Sequence, residues 1–179
     1  KESLDWRLLA AVGYQESHWN NEAVSADGAA GVMMLTAATA RAVGVTDRRD
    51  AAQNIAGGAA YLAQVLQMIP ERIAEPDRSW LALAAYNVGY GHLEDARVLA
   101  QSQGKDPDSW EVVKQYLPWL AEERWYQQAR RGYARGWEPV RFVEQVRGFL
   151  AVLEWYGDGQ VSGALLPPSL GSAPQKKIP

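Results

Sequence analysis

The chain has 179 residues, of which 47% are hydrophobic, and it carries a formal net charge of −3. This length allows one well-buried domain with a tail but not two large domains, and the apolar content excludes a disordered chain. No basic stripe typical of nucleic-acid binding is visible, and no run of about 18 apolar residues suits a transmembrane helix. The absence of Cys excludes disulfides and thiolate chemistry, but composition does not distinguish the cytosol from the periplasm.

The pattern of apolar residues predicts an all-α fold over residues 1–157. The first helix is expected to begin at a Ser3 cap and to end by Asn20, and Thr36 and Ser79 are expected to cap two later helices. The later helices are predicted over 37–44, 51–68, 80–87, 93–101, 109–116 and 138–156, with a helical continuation from Pro118 to 131. At most one short extended piece is expected, between Val24 and Met33.

The predicted helix over 51–68 contains an apolar stripe that includes Ile55, Leu62 and Val65. Gly57 and Gly58 lie inside the same helical pattern, which indicates a close-packing site rather than a phosphate-binding loop. Beyond Gly157 the composition changes to Gly, Pro, Ser and Lys, which bury too little apolar surface to offset the entropy of ordering. One folded domain over 1–157 and a flexible tail over 158–179 are therefore predicted.

Glu16 is the candidate catalytic group. Leu8, Val12 and Glu16 are spaced by four residues and share one face of the first helix, so that an apolar face ends in a carboxylic acid. Partial burial and the negative end of the helix dipole both raise the pKa of such a group. An acid that stays protonated near neutral pH can protonate a leaving sugar oxygen. On this feature alone, a carboxylate that turns to solvent at a frayed helix end is the preferred interpretation.

Three segments change that preference. The first signature is 14–19 (Tyr-Gln-Glu-Ser-His-Trp), the second is 25–36 (Ser-Ala-Asp-Gly-Ala-Ala-Gly-Val-Met-Met-Leu-Thr), and the third is 84–89 (Ala-Ala-Tyr-Asn-Val-Gly). In this order and spacing they resemble the signatures of the lytic transglycosylases related to goose-type lysozyme. The segment 54–62 resembles the family's intervening helix, and the resemblance covers about residues 4–156. It implies a lysozyme-like helical domain with a substrate groove.

The resemblance also implies a reaction. Lytic transglycosylases cleave the bond between N-acetylmuramic acid and N-acetylglucosamine in peptidoglycan without consuming water. Glu16 would protonate the glycosidic oxygen and then accept a proton from the muramic acid 6-hydroxyl, which closes onto its own anomeric carbon. No cofactor is expected. No metal site is expected either, because His18 and His92 lie far apart in the sequence without a ligand cluster.

Seven further residues are candidate substrate contacts. Ser17 can hydrogen-bond to the substrate or to Glu16, and Asn87 with the backbone near Met33 can hold N-acetyl and carbonyl groups. Tyr61 and Tyr86 can line the floor of the cleft, although a structural role for Tyr61 is an equally good interpretation. The complete set is Ser17, Met33, Met34, Tyr61, Tyr86, Asn87 and Phe142.

Two positions depart from the common family pattern. Most members carry Gln where Met34 stands, and the Met-Met-Leu-Thr sequence resembles one branch, the membrane-bound lytic murein transglycosylases F. In that branch a domain similar to periplasmic solute-binding proteins precedes the catalytic domain, and the whole protein is an outer-membrane lipoprotein. The resemblance therefore implies a periplasmic location, glycan strands and muropeptides as partners, and a chain that begins at Lys1 because it is a catalytic part of a longer protein.

The second departure is Phe142. The segment 138–143 resembles the signature that opens the last helix of the family, where a Tyr hydroxyl lies close to the catalytic acid. Either the alignment is shifted here, or another group orients Glu16. The candidates, which the sequence does not rank, are Tyr86, Tyr126 and Tyr133.

Two alternative functions are compatible with the same fold. A lysozyme-type hydrolase would need a second carboxylate, which Glu22 or Asp27 would supply. Glu22 is interpreted as solvated and Asp27 as part of a turn with Gly28, so a single-acid mechanism is favoured. The other alternative is a peptidoglycan-binding domain without catalysis, which the intact Glu16 argues against.

Overall fold

The structure is a computed structural model that describes residues 4–161, with side chains described to residue 157. Within these residues the chain is helical, and the all-α prediction is confirmed. The predicted extended piece is reduced to two isolated bridges, Val24 with Ala30 and Ala30 with Leu35. The helices are α1 Trp6–Ser17, α2 Ala37–Ala42, α3 Ala51–Met68, α4 Asp77–Val88, α5 Tyr90–Ser102, α6 Trp110–Tyr116, a 3-10 helix Leu117–Ala121, α7 Glu123–Tyr126 and α8 Trp137–Val161.

Helix α4 is the centre of the fold, with α3, α5, α6 and α8 packed around it. Residues 81–86 of this helix are all buried, because small and apolar side chains occur on every face of that segment. Helix α1 packs along α8. The C-terminal ends of α1 and α4 both contact the loop over 30–33, through hydrogen bonds from Ser17 and Tyr86.

Two of the predicted caps are wrong. Helix α1 begins at Trp6, where the Asp5 side chain accepts the Arg7 N–H, and the predicted cap Ser3 lies outside the described residues. Helix α4 begins at Asp77, so Ser79 lies inside it, and the Asp77 carboxylate accepts the Trp110 N–H at 2.6 Å. Asp77 therefore binds the first N–H of α6, and in the first turn of α4 the Ser79 N–H donates to the Glu75 carboxylate at 3.1 Å.

The predicted cap at Thr36 is confirmed, since its hydroxyl oxygen accepts the N–H of Thr39 at 3.1 Å. The stripe predicted on α3 is partly wrong, because Ile55 is 42% exposed. The glycines provide the close contact instead. A Cβ on Gly58 would lie 2.6 Å from the Met33 Cβ, which confirms the close-packing interpretation.

The segment predicted to be helical from Pro118 to 131 contains the 3-10 helix that ends at Ala121 and the short α7, and residues 127–136 form no regular helix. The Asp95 carboxylate of α5 accepts the backbone N–H groups of Arg130 and Arg131, at 3.1 and 2.8 Å. Gly132 follows with a φ of 78°. A side chain from another helix thus supplies acceptors that the helical carbonyls would otherwise provide.

Helix α8 begins at Trp137 and continues to Val161, beyond the predicted end at 156. Its inward positions Val143 and Val146 are buried as predicted. Residues 158–161 of the predicted tail are helical, and 162–179 lie outside the described residues. In the part of the chain that is described, no helix has the length and apolar character needed to cross a membrane.

Candidate active site

Glu16 lies in the last turn of α1, and its side chain lines a cavity of about 400 Å³. The other walls come from the loop that contains the second signature, from α2 and α3, and from the C-terminal end of α4. Four of the predicted site residues line this cavity together with Glu16. They are Met34, Tyr61, Tyr86 and Asn87.

Burial raises the pKa of Glu16 from 4.5 to about 7. Desolvation is the cause, because removal from water disfavours the charged carboxylate. Among the described residues, no side chain or backbone group forms a hydrogen bond or ion pair with this carboxyl group that would lower the pKa again. The group is therefore divided between its protonated and ionised forms near neutral pH, as the apolar helix face predicted.

Asn54 of α3 holds the loop over 30–33, which lies beside this cavity, through side-chain hydrogen bonds. Its side chain is fully buried, and its Oδ1 accepts the N–H of Met33 at 2.7 Å. Its Nδ2 donates to the carbonyl oxygens of Ala30 and Arg48, both at 2.9 Å. Two of these three hydrogen bonds hold the loop, and the third joins the same amide to the segment that precedes α3, so loss of the Asn54 side chain would leave buried backbone groups unpaired.

Helices α1 and α4 each add one hydrogen bond to the same loop. The Ser17 hydroxyl donates to the carbonyl oxygen of Val32 at 2.9 Å, and the Tyr86 hydroxyl donates to that of Met33 at 3.0 Å. Both side chains are buried. Ser17 is not among the residues that line the cavity, so its hydroxyl supports the loop rather than facing the space beside Glu16.

The two methionines of the second signature have different environments. Met33 is 1% exposed and packs against Gly58, and its N–H and C=O are hydrogen-bonded to Asn54 and Tyr86. Met34 adopts a φ of 45°, is partly exposed and lines the cavity. The structure therefore places Met33 in the core and Met34 in the wall of the site.

Aromatic rings connect the cavity to the core. The rings of Tyr61 and Tyr86 lie 5.3 Å apart, and Phe142 of α8 is stacked near Tyr86 with 6.3 Å between ring centres. Phe142 is buried and does not line the Glu16 cavity. It lies in a neighbouring depression that also contains Asn87.

Of the three tyrosines considered as partners of Glu16, the structure brings only Tyr86 to the cavity. Burial, and after it the negative charge of Glu16, raise the pKa of Tyr86, so its hydroxyl remains protonated. Tyr126 and Tyr133 instead pack against each other with 5.7 Å between ring centres. Tyr86 thus lies beside the acid, although its hydrogen is donated to the Met33 carbonyl.

The two residues considered as a second carboxylate, Asp27 and Glu22, differ in their position relative to the Glu16 cavity. Asp27 is exposed and lines the same cavity as Glu16, whereas Glu22 is exposed and is not among its lining residues. The predicted turn is confirmed, with a φ of 77° at Gly28. Among the described side chains, no group of three or more His, Cys, Asp or Glu is arranged to hold a metal ion.

The residue missed by the sequence analysis is Asn54. It stands at the start of the segment that resembles the family's intervening helix, four residues before Gly58. A polar residue one helical turn before a glycine pair, and so on the same helix face as Gly58, is the signal that could have identified it, since buried amides satisfy backbone groups.

Comparison with known proteins agrees with these features. Residues 1–109 match the family model described as the transglycosylase SLT domain. The chain is 56% identical over 169 residues to membrane-bound lytic murein transglycosylase F of Stutzerimonas stutzeri, which covers 94% of this chain and 35% of that protein. It is 58% identical over 153 residues to the protein of the same name from Marinobacter nauticus, with 86% of this chain and 30% of that protein covered.

Membrane-bound lytic murein transglycosylase F 1 of Alkalilimnicola ehrlichii is 56% identical over 151 residues, which cover 84% of this chain and 31% of the relative. The chain thus spans about a third of the length of the curated relatives it matches. The family model matches more than half of the chain and includes all three signatures. The chain therefore belongs to the transglycosylase SLT domain family.

Proposed function

We propose that the chain is the catalytic domain of a peptidoglycan lytic transglycosylase. It cleaves the β-1,4 bond between N-acetylmuramic acid and N-acetylglucosamine and leaves 1,6-anhydromuramic acid ends. The observation that carries the proposal is the largely buried Glu16 carboxyl, whose pKa burial raises to about 7, in a cavity bounded by all three signatures. The relatives, named lytic murein transglycosylases, support the same reaction class.

One carboxyl group is sufficient for this reaction. Protonated Glu16 donates its proton to the glycosidic oxygen, and the bond from that oxygen to the anomeric carbon breaks. The resulting carboxylate accepts the proton of the muramic acid 6-hydroxyl. At the same time the oxygen of that hydroxyl forms a bond to the anomeric carbon of its own sugar. A pKa near neutrality suits both steps. The tethered hydroxyl has a high effective concentration relative to water.

The other predicted residues divide into two groups by position. Met34, Tyr61, Tyr86 and Asn87 line the cavity and are proposed to contact the sugar rings, with the exposed Asn87 amide available to an N-acetyl group. Ser17, Met33 and Phe142 are proposed to have a supporting role without touching the substrate. Ser17 and Met33 form hydrogen bonds that hold the loop, and Phe142 packs against the Tyr86 ring.

A hydrolase is the second candidate, and one observation favours it: Asp27 lines the same cavity as Glu16. A second carboxylate can activate water or stabilise the oxocarbenium-like transition state. Asp27 is exposed and belongs to a turn, and no hydrogen bond from another described residue orients its carboxylate. The single-acid reaction is therefore preferred.

The products distinguish the two reactions. Purified sacculi digested by the protein should yield muropeptides that are lighter by one water than lysozyme products and that borohydride does not reduce. Asp27→Asn should retain most of the activity, with Glu22→Gln as the matched control outside the cavity. Reducible muramic acid ends, together with a severe loss in Asp27→Asn, would favour the hydrolase.

We further propose that residues 1–157 form the catalytic domain of a longer envelope protein. The support is the coverage of about a third of relatives that are named membrane-bound. The proposed remainder is a domain similar to periplasmic solute-binding proteins, with a lipid anchor in the outer membrane. Fractionation of cells on a sucrose gradient tests this location. Recovery of the full-length protein in the cytosol would contradict it.

A further inference from the structure

A second depression adjoins the Glu16 cavity. Its volume of about 400 Å³ lies within the range of about 300–1,000 Å³ typical of ligand pockets, and Asn87, near the end of α4, lines both spaces. A substrate bound beside Glu16 can therefore extend past Asn87 into this depression. Its polar side chains come from three helices, and they are Gln15 and His18 of α1, Asn87 of α4, and Glu138, Arg141 and Gln145 of α8.

Helical spacing explains why these side chains face one space. Glu138, Arg141 and Gln145 follow one another at intervals of three and four residues, so they share one face of α8. Gln15 and His18 are three residues apart at the end of α1 and likewise share a face. The depression is therefore formed where α1 and α8 each present a polar row to the other.

Aromatic contacts hold these two helices together beside the depression. The Tyr14 ring of α1 lies 4.3 Å from the Phe149 ring of α8, measured between ring centres. The same Tyr14 ring lies 5.0 Å from the His18 ring, which follows the last turn of α1. The wall of the depression is thus packed in place before any ligand is bound.

Arg141 carries a charge that its surroundings do not balance. Glu138 pairs with Arg135 at 2.8 Å, whereas in the part of the chain that the structure describes no carboxylate lies within ion-pair distance of the Arg141 guanidinium. Other exposed arginines, Arg72 and Arg124, each have an acidic partner. The depression therefore presents a cation that is available to an anionic ligand.

The Glu16 cavity has the opposite electrostatic character. Its acidic lining residues are Glu16 and Asp27, and no Lys, Arg or His is among its described lining residues. An anionic part of a substrate is repelled by Asp27 and attracted by Arg141. The depression thus suits a negatively charged part of the substrate, and the cavity suits an uncharged sugar ring.

Muramic acid in peptidoglycan carries a short stem peptide on its lactyl group, and this peptide contains amide groups and free carboxylates. A guanidinium binds a carboxylate through two parallel hydrogen bonds, and the amides of Gln15 and Gln145 can both donate to and accept from peptide groups. We propose that the depression holds the stem peptide and that Arg141 binds one of its carboxylates, so that the enzyme prefers peptide-bearing strands to bare ones. This inference rests on the proposed function, because it concerns the substrate of the same site.

Two matched substrates test the preference. Glycan strands are purified with their stem peptides, and part of the preparation is treated with an N-acetylmuramoyl-L-alanine amidase, which removes the peptides and leaves the sugars unchanged. The unaltered protein should have a kcat/KM about tenfold higher on the peptide-bearing strands. Arg141→Gln should lose about tenfold on those strands, because a charge-assisted hydrogen bond is removed, and less than about twofold on the bare strands.

Two further variants accompany this measurement. Arg124→Gln is the matched control, because Arg124 is an exposed arginine that lines neither space, and its kcat/KM should be unaltered on both substrates. Arg141→Lys keeps the charge but not the paired donors, so its loss on peptide-bearing strands should be intermediate. Equal losses of Arg141→Gln on both substrates would assign Arg141 to the glycan, and an unchanged preference would place the peptide elsewhere. Either result would overturn the proposal.

Chemical amidation of the stem peptides tests the contact itself and needs no variant of the protein. Conversion of the peptide carboxylates to carboxamides should cost the unaltered protein about as much as Arg141→Gln does. The same conversion should cost Arg141→Gln little more, because both changes remove one interaction. Losses that multiply when the two changes are combined would contradict the pairing of Arg141 with a carboxylate.

The product analysis separates this inference from the proposed function. If neither type of strand yields 1,6-anhydro ends, the proposed function fails. If both types yield these ends with equal kcat/KM, the proposed function stands and the inference is overturned. Because Arg141 is exposed, its replacement should leave the melting temperature nearly unchanged, which thermal melting verifies for each variant.

Discussion

The Tyr86 hydroxyl donates a hydrogen bond of 3.0 Å to the carbonyl oxygen of Met33, and so joins the third signature to the second. The Tyr86 ring also lines the cavity beside Glu16, which belongs to the first signature. Three segments separated in the sequence therefore meet at one buried tyrosine. This contact explains why their order and spacing predict a single site.

Tyr86→Phe tests the contribution of that hydrogen bond. The ring and its contacts with Tyr61 and Phe142 remain, but the Met33 carbonyl loses a buried donor. We expect the free energy of unfolding to fall by about 1–3 kcal/mol, as measured by urea denaturation. Tyr133→Phe, at a ring that is 53% exposed, is the control and should change stability little. An unchanged Tyr86→Phe would show that the hydrogen bond adds no net stability.

Glu16→Gln removes the transferable proton while it keeps the shape of the side chain. Activity on cell-wall suspensions should fall by at least about 10²–10⁴-fold, because the same group acts as acid and as base. Glu22→Gln, which makes the same change on an exposed side chain outside the cavity, is the matched control. If Glu16→Gln still cleared suspensions at a comparable rate, the catalytic acid would have to be another residue.

The same substitution should also change the pH dependence of stability. Because burial raises the pKa of Glu16 from 4.5 to about 7, the folded state binds its proton more tightly than the unfolded state. Folding is therefore penalised as pH rises from about 4.5, and the penalty is complete above about 7. Glu16→Gln removes it, so the variant should match the unaltered protein at pH 4.

At pH 8 we expect Glu16→Gln to be more stable by on the order of 1–3 kcal/mol, since each pH unit of a raised pKa corresponds to about 1.4 kcal/mol and the group retains some exposure. Denaturant titrations at pH 4, 6 and 8 measure this difference. A difference that does not change with pH would mean that the Glu16 carboxyl is not desolvated in solution.

Two glycines test the packing of the site against α3. Gly58→Ala places a Cβ 2.6 Å from the Met33 Cβ, so it should destabilise the fold by about 1–3 kcal/mol and displace the loop. Gly148→Ala, in α8, meets nothing within 4 Å and should instead stabilise the protein by about 0.5–1 kcal/mol. Thermal melting of both variants should show a lower melting temperature for Gly58→Ala and a higher one for Gly148→Ala. A Gly58→Ala protein that melts like the unaltered one would show that the loop yields easily.

Local patterns in the sequence predicted much of this structure. The spacing of Leu8, Val12 and Glu16 identified the helix face that ends at the acid, and the Thr36 cap was predictable because its partner Thr39 is only three residues away. The all-α class follows from the same periodicity. These features depend on contacts within one or two helical turns, which a sequence pattern records directly.

The features that the sequence did not predict depend on distant partners. Asn54 is bonded to a residue 21 positions away, Asp77 to one 33 positions away and Asp95 to one 35 positions away. A side chain that binds a backbone group across the fold leaves no periodic trace in the sequence. The supporting role of Ser17 was missed for the same reason.

The anchoring of the Arg130 and Arg131 amides by Asp95 has a consequence for proteolysis. Both arginines are exposed in a segment without regular helix, which is where trypsin ordinarily cuts a folded protein. A protease must pull several residues into an extended form, and here that requires breaking two hydrogen bonds to a buried carboxylate. The segment should therefore resist nicking in the native protein, and Asp95→Ala should make it the first site to be cut.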